Sequence, residues 1–231
     1  MKSDLHIGSE FEDSLSFYLE SYRFKTSRTW IKGSEECSLV SQLRKYDFST
    51  ALGVLIPSVP GFHNPNSRQR VGYIKIQQAI KNMHKSYHSD KNFHISSPIV
   101  FQFSSIGSLS IKYLNELYQA WNIASFHPVK QNNTRDAYQN FEFVYPTVKE
   151  INESVEGVVG GLSVPGRKQN VKKSFLQSLY KRWKSGKDVF KKGVNVPHVK
   201  TYYQVDLTSD EDVFKWFVLS SHNLSKGKPF L

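Results

Sequence analysis

A chain of 231 residues with 31 Lys and Arg against 20 Asp and Glu carries a formal charge of +11, a sequence pI near 9.6 and 39% hydrophobic residues. That apolar content supports one large domain or two small ones and excludes a disordered chain, while the positive excess makes a polyanion the first partner to consider. A lone Cys37 excludes a disulfide framework and a Cys-based zinc site, no run of about 18 apolar residues occurs, and Met1–Glu10 has no apolar h-region, so the expectation is a soluble intracellular protein.

Ser9 followed by Glu12 forms a capping-box pattern, and Phe11, Leu15, Tyr18, Leu19 and Tyr22 at helical spacing predict an amphipathic helix over 10–22. Leu52–Ile56 is a short apolar run stopped by Pro57, Pro60 and Gly61, which predicts a buried strand leading into a loop over 62–70. Ile74, Ile76, Gln77, Ile80 and Met83 predict the next helix. Pro98–Phe103 predicts a second buried strand, running through Ser104-Ser105-Ile106-Gly107-Ser108 into a helix with the stripe Ile111, Leu114, Tyr118 and Trp121. Strand, Ser/Gly turn and helix in that order aim free backbone N–H groups at an anion.

Phe141–Tyr145 predicts a third strand, and Thr147 with Glu150 caps a short helix ending near Gly157, before a loop over 157–166 with four glycines and Pro165. Val171, Phe175, Leu179 and Trp183, spaced by four, predict a helix over 170–184. From Arg167 to Lys192 there are ten Lys or Arg against the single acid Asp188, so nine of the eleven net charges are local to this segment. A solvated basic helix face is the plain reading of such a run, and a polyanion-binding face the functional one. Strands alternating with helices predict an α/β layered fold with a central mixed sheet.

The tail reads as two strands, from Val196 to Tyr203 and from Val213 to Leu219, joined by an acidic turn over 209–212. On one strand His198 and Lys200 leave the same face about 6 to 7 Å apart. Pairing of the two strands returns Asn223 beside them. A proton donor, a fixed cation and an amide donor together can hold a phosphoryl group and protonate a leaving oxygen, without requiring a metal. An H-x-K taken alone is ordinarily an edge-strand His and a snorkelling Lys; the Ser-Ser-x-Asn element at the end of the following strand supports the shared site. The other seven histidines, His63 and His222 among them, read as ordinary surface or loop residues.

His198-Val199-Lys200 followed by Ser220-Ser221-His222-Asn223-Leu224-Ser225-Lys226 resembles the second H-x-K…N motif of the tyrosyl-DNA phosphodiesterases, the branch of the phospholipase D superfamily that lacks the Asp of HxKxxxxD. Asp206 follows Lys200 by six positions and not five, so it does not restore that signature. Phe101 to Leu109, Tyr145-Pro146-Thr147, Ser154 to Gly157, Gly160-Gly161 and Lys181-Arg182-Trp183 resemble family segments in the family's order. Upstream, Phe11 to Tyr22 with Trp30, and Tyr46 to Ser49 before Ile56 to Gly61, are similar to the stretch closing the family's first half. The similarity covers nearly the whole chain.

The resemblance implies a phospholipase D-like layered α/β fold, a mixed central β-sheet flanked by helices, truncated here: 1–61 would be the tail end of the first half, and 62–231 the second domain, incomplete at its C-terminus. It implies a DNA-repair phosphodiesterase that hydrolyses the 3′-phosphotyrosyl bond between DNA and a trapped topoisomerase peptide, without cofactor or metal. A first-half His would attack phosphorus to form a phosphohistidine. His198 would protonate the departing tyrosine oxygen and later activate water, and Lys200 and Asn223 would hold the non-bridging oxygens. Ser104, Ser105, Ser108, Lys172 and Ser225 would face the DNA. The implied partners are DNA, as single-stranded or duplex 3′ ends with a covalent tyrosyl peptide, and the missing N-terminal half of the same enzyme, with no membrane; the implied location is the nucleus.

These 231 residues contain no second H-x-K: no His precedes Lys75, Lys91 or Lys130 by two positions, and His84, His88 and His94 lack the required Lys. The expectation is therefore a fragment with the acid/base half-site only, inactive alone. Two other readings stand beside it: a homodimeric phospholipase D-type nuclease, each chain giving one motif, and an inactive half that binds DNA through 167–192.

Overall fold

In a computed structural model that describes residues 9–21, 39–87, 97–122, 134–183, 195–196, 198–206 and 213–225, the chain divides into two units, Met1–Met83 with Phe230–Leu231 and His84–Pro229. In the first unit α1 (Glu10–Ser21) starts where its pattern predicts, with Ser9 Oγ accepting the Glu12 N–H at 3.2 Å. Helices α2 (Leu39–Leu43), α3 (Pro65–Arg68) and α4 (Gly72–Tyr87) follow. Phe11 stacks on Phe48 at 5.7 Å, the Arg70 guanidinium lies 4.1 Å over the Phe17 ring, and Lys75 pairs with Glu10 at 2.6 Å. Residues 62–70, expected as loop, contain α3, whose Asn64 cap accepts the Ser67 N–H at 2.9 Å ahead of a first-turn proline.

The expected strand at Leu52–Ile56 does not form. Leu52 is fully exposed, Val54 is exposed, and the buried residues are Pro57 and Val59 further on. No strand pairs with this run among the described residues, and prolines without N–H groups limit any ladder; instead the Pro57 carbonyl accepts the Gly72 N–H at 2.9 Å. An apolar run without a partner strand gains nothing from extension.

The second unit is built on a five-stranded mixed sheet, β1 (Ile99–Gln102), β2 (Phe141–Val144), β3 (Tyr180–Lys181), β4 (Lys200–Asp206) and β5 (Val213–Ser220), in the spatial order β3-β2-β1-β4-β5. β1, β2 and β3 run parallel and β4 and β5 antiparallel to their neighbours, with Val100 opposite both Glu142 and Tyr203. Phe101, fully buried, is the hub, with ring centroids of Phe141 and Tyr202 at 4.8 Å and Trp121 at 5.4 Å. Trp121 ends α5 (Ile111–Trp121); of the expected stripe Leu114, Tyr118 and Trp121 are buried, whereas Ile111, in the first turn, is exposed and Leu117 is buried in addition. Gln204 of β4 then ties the layers: it donates to Ser97 O at 2.9 Å and Asn122 Oδ1 at 3.0 Å, and accepts from Trp216 Nε1 at 3.3 Å.

The capping box forms with both bonds, Glu150 N–H to Thr147 Oγ1 and Thr147 N–H to Glu150 Oε2, on α6 (Val148–Asn152), which stops at Asn152 and does not reach Gly157. Gly157–Ser163, expected as loop, is a 3-10 helix. The expected helix over 170–184 is absent from the described part, 170–183. In its place are α7 (Lys168–Val171), a 3-10 turn at Ser174–Leu176 and strand β3. Lys173 turns extended (φ −64, ψ 133), and the edge of β2 takes Tyr180 and Lys181 into the sheet opposite Phe143 and Val144. Leu176 and Leu179 are buried in that arrangement, so the every-fourth-residue pattern reflects tertiary contacts and not one helical face. The acidic turn expected over 209–212 lies outside the described residues.

Candidate functional site

β4 begins at Lys200, so His198 does not share a strand with it, contrary to the expectation of two side chains leaving one strand face. His198 is exposed, whereas Lys200 is 1% exposed and its Nζ donates back to the His198 carbonyl. A two-residue bend thus separates a solvent-facing imidazole from a buried ammonium. Desolvation holds the Lys200 ammonium below its ordinary pKa, a cost that an arriving phosphoryl anion would offset. Gln102 Nε2 donates to Val199 O at 3.4 Å, fixing the intervening residue to β1. Upstream, the Val196 N–H donates to Glu156 Oε2 at 3.0 Å and holds that carboxylate below its usual pKa.

Lys200 pairs with Ser220 in the β4–β5 ladder, which places the Ser-Ser-x-Asn element at the same end of the hairpin as His198. The Tyr202 hydroxyl donates to the His222 carbonyl, and Ser220 Oγ accepts the His222 N–H at 3.0 Å. The main chain of His222, an exposed residue, is thereby held in the turn into Asn223. Asn223 Oδ1 accepts three bonds: the N–H of Ser104 at 3.0 Å, the N–H of Ser105 at 2.9 Å and the Ser104 hydroxyl at 3.3 Å. With its oxygen occupied so, the Asn223 amide is fixed in rotation and its NH₂ is the end left to donate.

This corrects the expectation of free backbone donors in the Ser/Gly turn. Ser104 and Ser105 spend their N–H groups on Asn223, and Gly107 N–H bonds Leu224 O at 2.9 Å beside the Ile106–Leu224 bridge. Gly107 is required there, because a Cβ would lie 2.7 Å from Ser225 Cβ and 3.0 Å from Ser225 Cα. Ser225 is therefore brought to the turn, with Ser104 buried, Ser105 half-buried and Ser108 exposed.

The basic segment meets the same turn from the other side. Asn170 Nδ2 donates to Ile106 O at 3.3 Å, and Lys173 Nζ reaches Leu109 O at 2.6 Å and Ser108 Oγ at 3.1 Å. Lys172 lines, with Arg167, Lys168, Gln169 and Lys173, an open basic depression of about 780 Å³. The sequence motif singles out Lys172 and not Lys173 or Asn170, because the bend that carries Lys173 to this turn is a tertiary feature. Among the described residues no group of three His, Cys, Asp or Glu side chains is arranged to hold a metal, and no helix is long and apolar enough to cross a membrane.

The family model described as tyrosyl-DNA phosphodiesterase matches residues 1–227. Tyrosyl-DNA phosphodiesterase 1 of Arabidopsis thaliana is 30% identical over 221 residues, covering 95% of this chain and 34% of the plant protein. Tyrosyl-DNA phosphodiesterase 1 of Drosophila melanogaster is 30% identical over 94% of this chain and 35% of its own, and the probable tyrosyl-DNA phosphodiesterase of Caenorhabditis elegans 30% over 95% and 45%. The chain thus spans between 34% and 45% of the length of these curated relatives.

Proposed function

Because the chain belongs to the tyrosyl-DNA phosphodiesterase family, we propose that its second unit is the acid/base half of a DNA-repair phosphodiesterase acting on a 3′-phosphotyrosyl bond. The attacking histidine comes from an H-x-K…N set that these 231 residues do not contain. Its nitrogen forms a bond to phosphorus as the bond from phosphorus to the tyrosyl oxygen breaks. His198, exposed at the hairpin end, gives its proton to that leaving oxygen and then takes one from the water that hydrolyses the phosphohistidine, leaving DNA with a 3′ phosphate. The Lys200 ammonium and the Asn223 NH₂ meet the charge on the non-bridging oxygens.

The observation that carries this reading is the orientation of Asn223, whose oxygen is held by Ser104 and Ser105 so that its donor end is preset. Fixed donors cost no reorganisation when charge develops. The DNA backbone lies along Ser105, Ser108 and the Lys172 depression, and the polypeptide adduct leaves past His198. Nuclear residence follows from a chromosomal substrate, and imaging a fluorescent fusion checks it.

The test joins this chain to a first half carrying its own H-x-K…N set and follows tyrosine release from a 3′-phosphotyrosyl oligonucleotide. The 231-residue chain alone should release none, and His198→Ala in the joined protein should slow release by about 100-fold or more. Turnover by the chain alone, or unchanged kinetics in the variant, would refute the half-site assignment.

A further inference from the structure

We infer that Lys173 is a positioning residue for phosphate recognition, acting through the Ser108 hydroxyl and not by its own contact with the nucleic acid; the inference rests on the DNA-backbone reading above. Lys173 leaves the basic segment in an extended conformation directly after α7, which carries its side chain across to the β1–α5 turn. There its ammonium donates to Leu109 O at 2.6 Å and Ser108 Oγ at 3.1 Å, so two of its three hydrogens are committed to the protein. Leu109 is 1% exposed, which anchors the ammonium on a main-chain carbonyl at the edge of the core.

The chemical consequence falls on Ser108. A hydroxyl has two lone pairs and one hydrogen, and an ammonium on one lone pair excludes the conformers that point the O–H at Lys173. The hydrogen is turned outward, and the positive charge behind the oxygen makes it a stronger donor. Four other donors of this turn are used within the protein: the Ser104 N–H and hydroxyl and the Ser105 N–H on Asn223, and the Gly107 N–H on Leu224 O. Ser108 is exposed and lies beside the basic depression that Lys172 and Lys173 line. The pair is a neutral donor with a cation built in behind it, suited to a phosphodiester oxygen. Lys172, exposed at the C-terminal end of α7, remains the direct electrostatic contact.

The experiment titrates the full 231-residue chain into a 5′-labelled single-stranded oligonucleotide with a 3′ phosphate and reads anisotropy across a salt series. Ser108→Ala and Lys173→Met should each weaken binding by about tenfold. In the Ser108→Ala background Lys173→Met should cost less than about threefold more, since the lysine then has no hydroxyl to polarise. Lys173→Arg should recover most of the affinity. Lys172→Met should lower the slope of log K on log salt by about 0.7, whereas Lys173→Met should leave it unchanged, because no counterion is released on its account.

Equal costs of Lys173→Met in both backgrounds, or a lowered salt slope, would make it a direct phosphate contact and overturn the inference. No loss in either background, while Ser108→Ala still weakens binding, would also overturn it yet leave the DNA reading standing. Failure of the unsubstituted chain to bind the oligonucleotide would overturn the DNA reading and the inference with it. Thermal melting of each variant identifies a loss of fold, and the Arg variant together with the Ser108→Ala background keeps the comparison decisive.

Discussion

Asn223 accepts the main-chain N–H of Ser104 at 3.0 Å across 119 residues of sequence, and in doing so joins the end of the β4–β5 hairpin to the turn that leaves β1. The same oxygen serves Ser105, so one amide holds two backbone donors of which the Ser104 one is buried. Asn223→Ala should therefore destabilise the fold by about 2 to 3 kcal/mol, the cost of leaving both N–H groups without an acceptor. Asn223→Asp keeps the acceptor and should lie within about 1 kcal/mol of the native chain. In the joined enzyme, however, the Asp variant should lose about 100-fold or more in activity if the Asn223 amide meets phosphate as proposed, because a carboxylate then replaces that donor. Urea midpoints and tyrosine release, measured on both variants, separate the two functions of this side chain; equal stability of Ala and Asp would remove the clamp from the account.

Gly107→Ala tests the other half of the junction. The new methyl would fall 2.7 Å from Ser225 Cβ and 3.0 Å from Ser225 Cα, atoms that no rotamer change can withdraw. The two segments joined by the Ile106–Leu224 bridge must separate, and the expected cost is about 1 to 3 kcal/mol. Adding Ser225→Gly removes the nearer contact and should return about half of the loss. A double variant as unstable as the single one would place the strain elsewhere.

Tyr202→Phe addresses what holds the turn before Asn223. Tyr202 is 5% exposed, and burial raises its phenol pKa, so the hydroxyl stays a donor to the His222 carbonyl throughout the neutral and mildly alkaline range. Removing it should cost about 1 kcal/mol and leave a carbonyl unpaired. Hydrogen exchange at the Gly107 amide, which bonds Leu224 O, should accelerate while that of Phe101 in the centre of the sheet does not.

Much of the second unit was legible because local signals and the sheet agree. Ile99, Val100 and Phe101 are apolar, buried and central in the sheet; the Thr147–Glu150 box and the α5 stripe from Leu114 to Trp121 are local signals within a few residues. The failures share one cause. Leu52–Ile56 carries a strand composition with no partner to pair with, and Val171 to Trp183 carries a helical spacing that the edge of β2 and the Lys173 contacts override. In the candidate site, the motif singled out Lys200 and Asn223, but not that Lys200 would be buried and folded toward His198 O, nor that Asn223 would face its oxygen toward Ser104. The Asn223 contact depends on a residue 119 positions away in sequence, which spacing alone cannot encode, and the Lys200 bond on a bend at Val199 that no periodicity marks.

Lys200 gives the pH prediction. Its ordinary pKa is 10.5, and desolvation lowers it in the folded chain. Below the folded value both states carry the ammonium, and the burial penalty is constant. Between the folded value and 10.5 the unfolded chain binds more protons than the folded one, so stability rises with pH across that window, and above it the penalty is gone. Lys200→Met removes the titration and the buried charge together. At neutral pH this variant should be as stable as the native chain or up to about 1 kcal/mol more so, despite losing the bond to the His198 carbonyl. The advantage should shrink as pH rises toward 10.5, while activity in the joined enzyme is lost at every pH. Urea unfolding of both proteins at a series of pH values measures the difference directly. A difference that stays flat through the alkaline range would show that the ammonium is not desolvated, and its readiness for a phosphoryl anion would lose its physical basis.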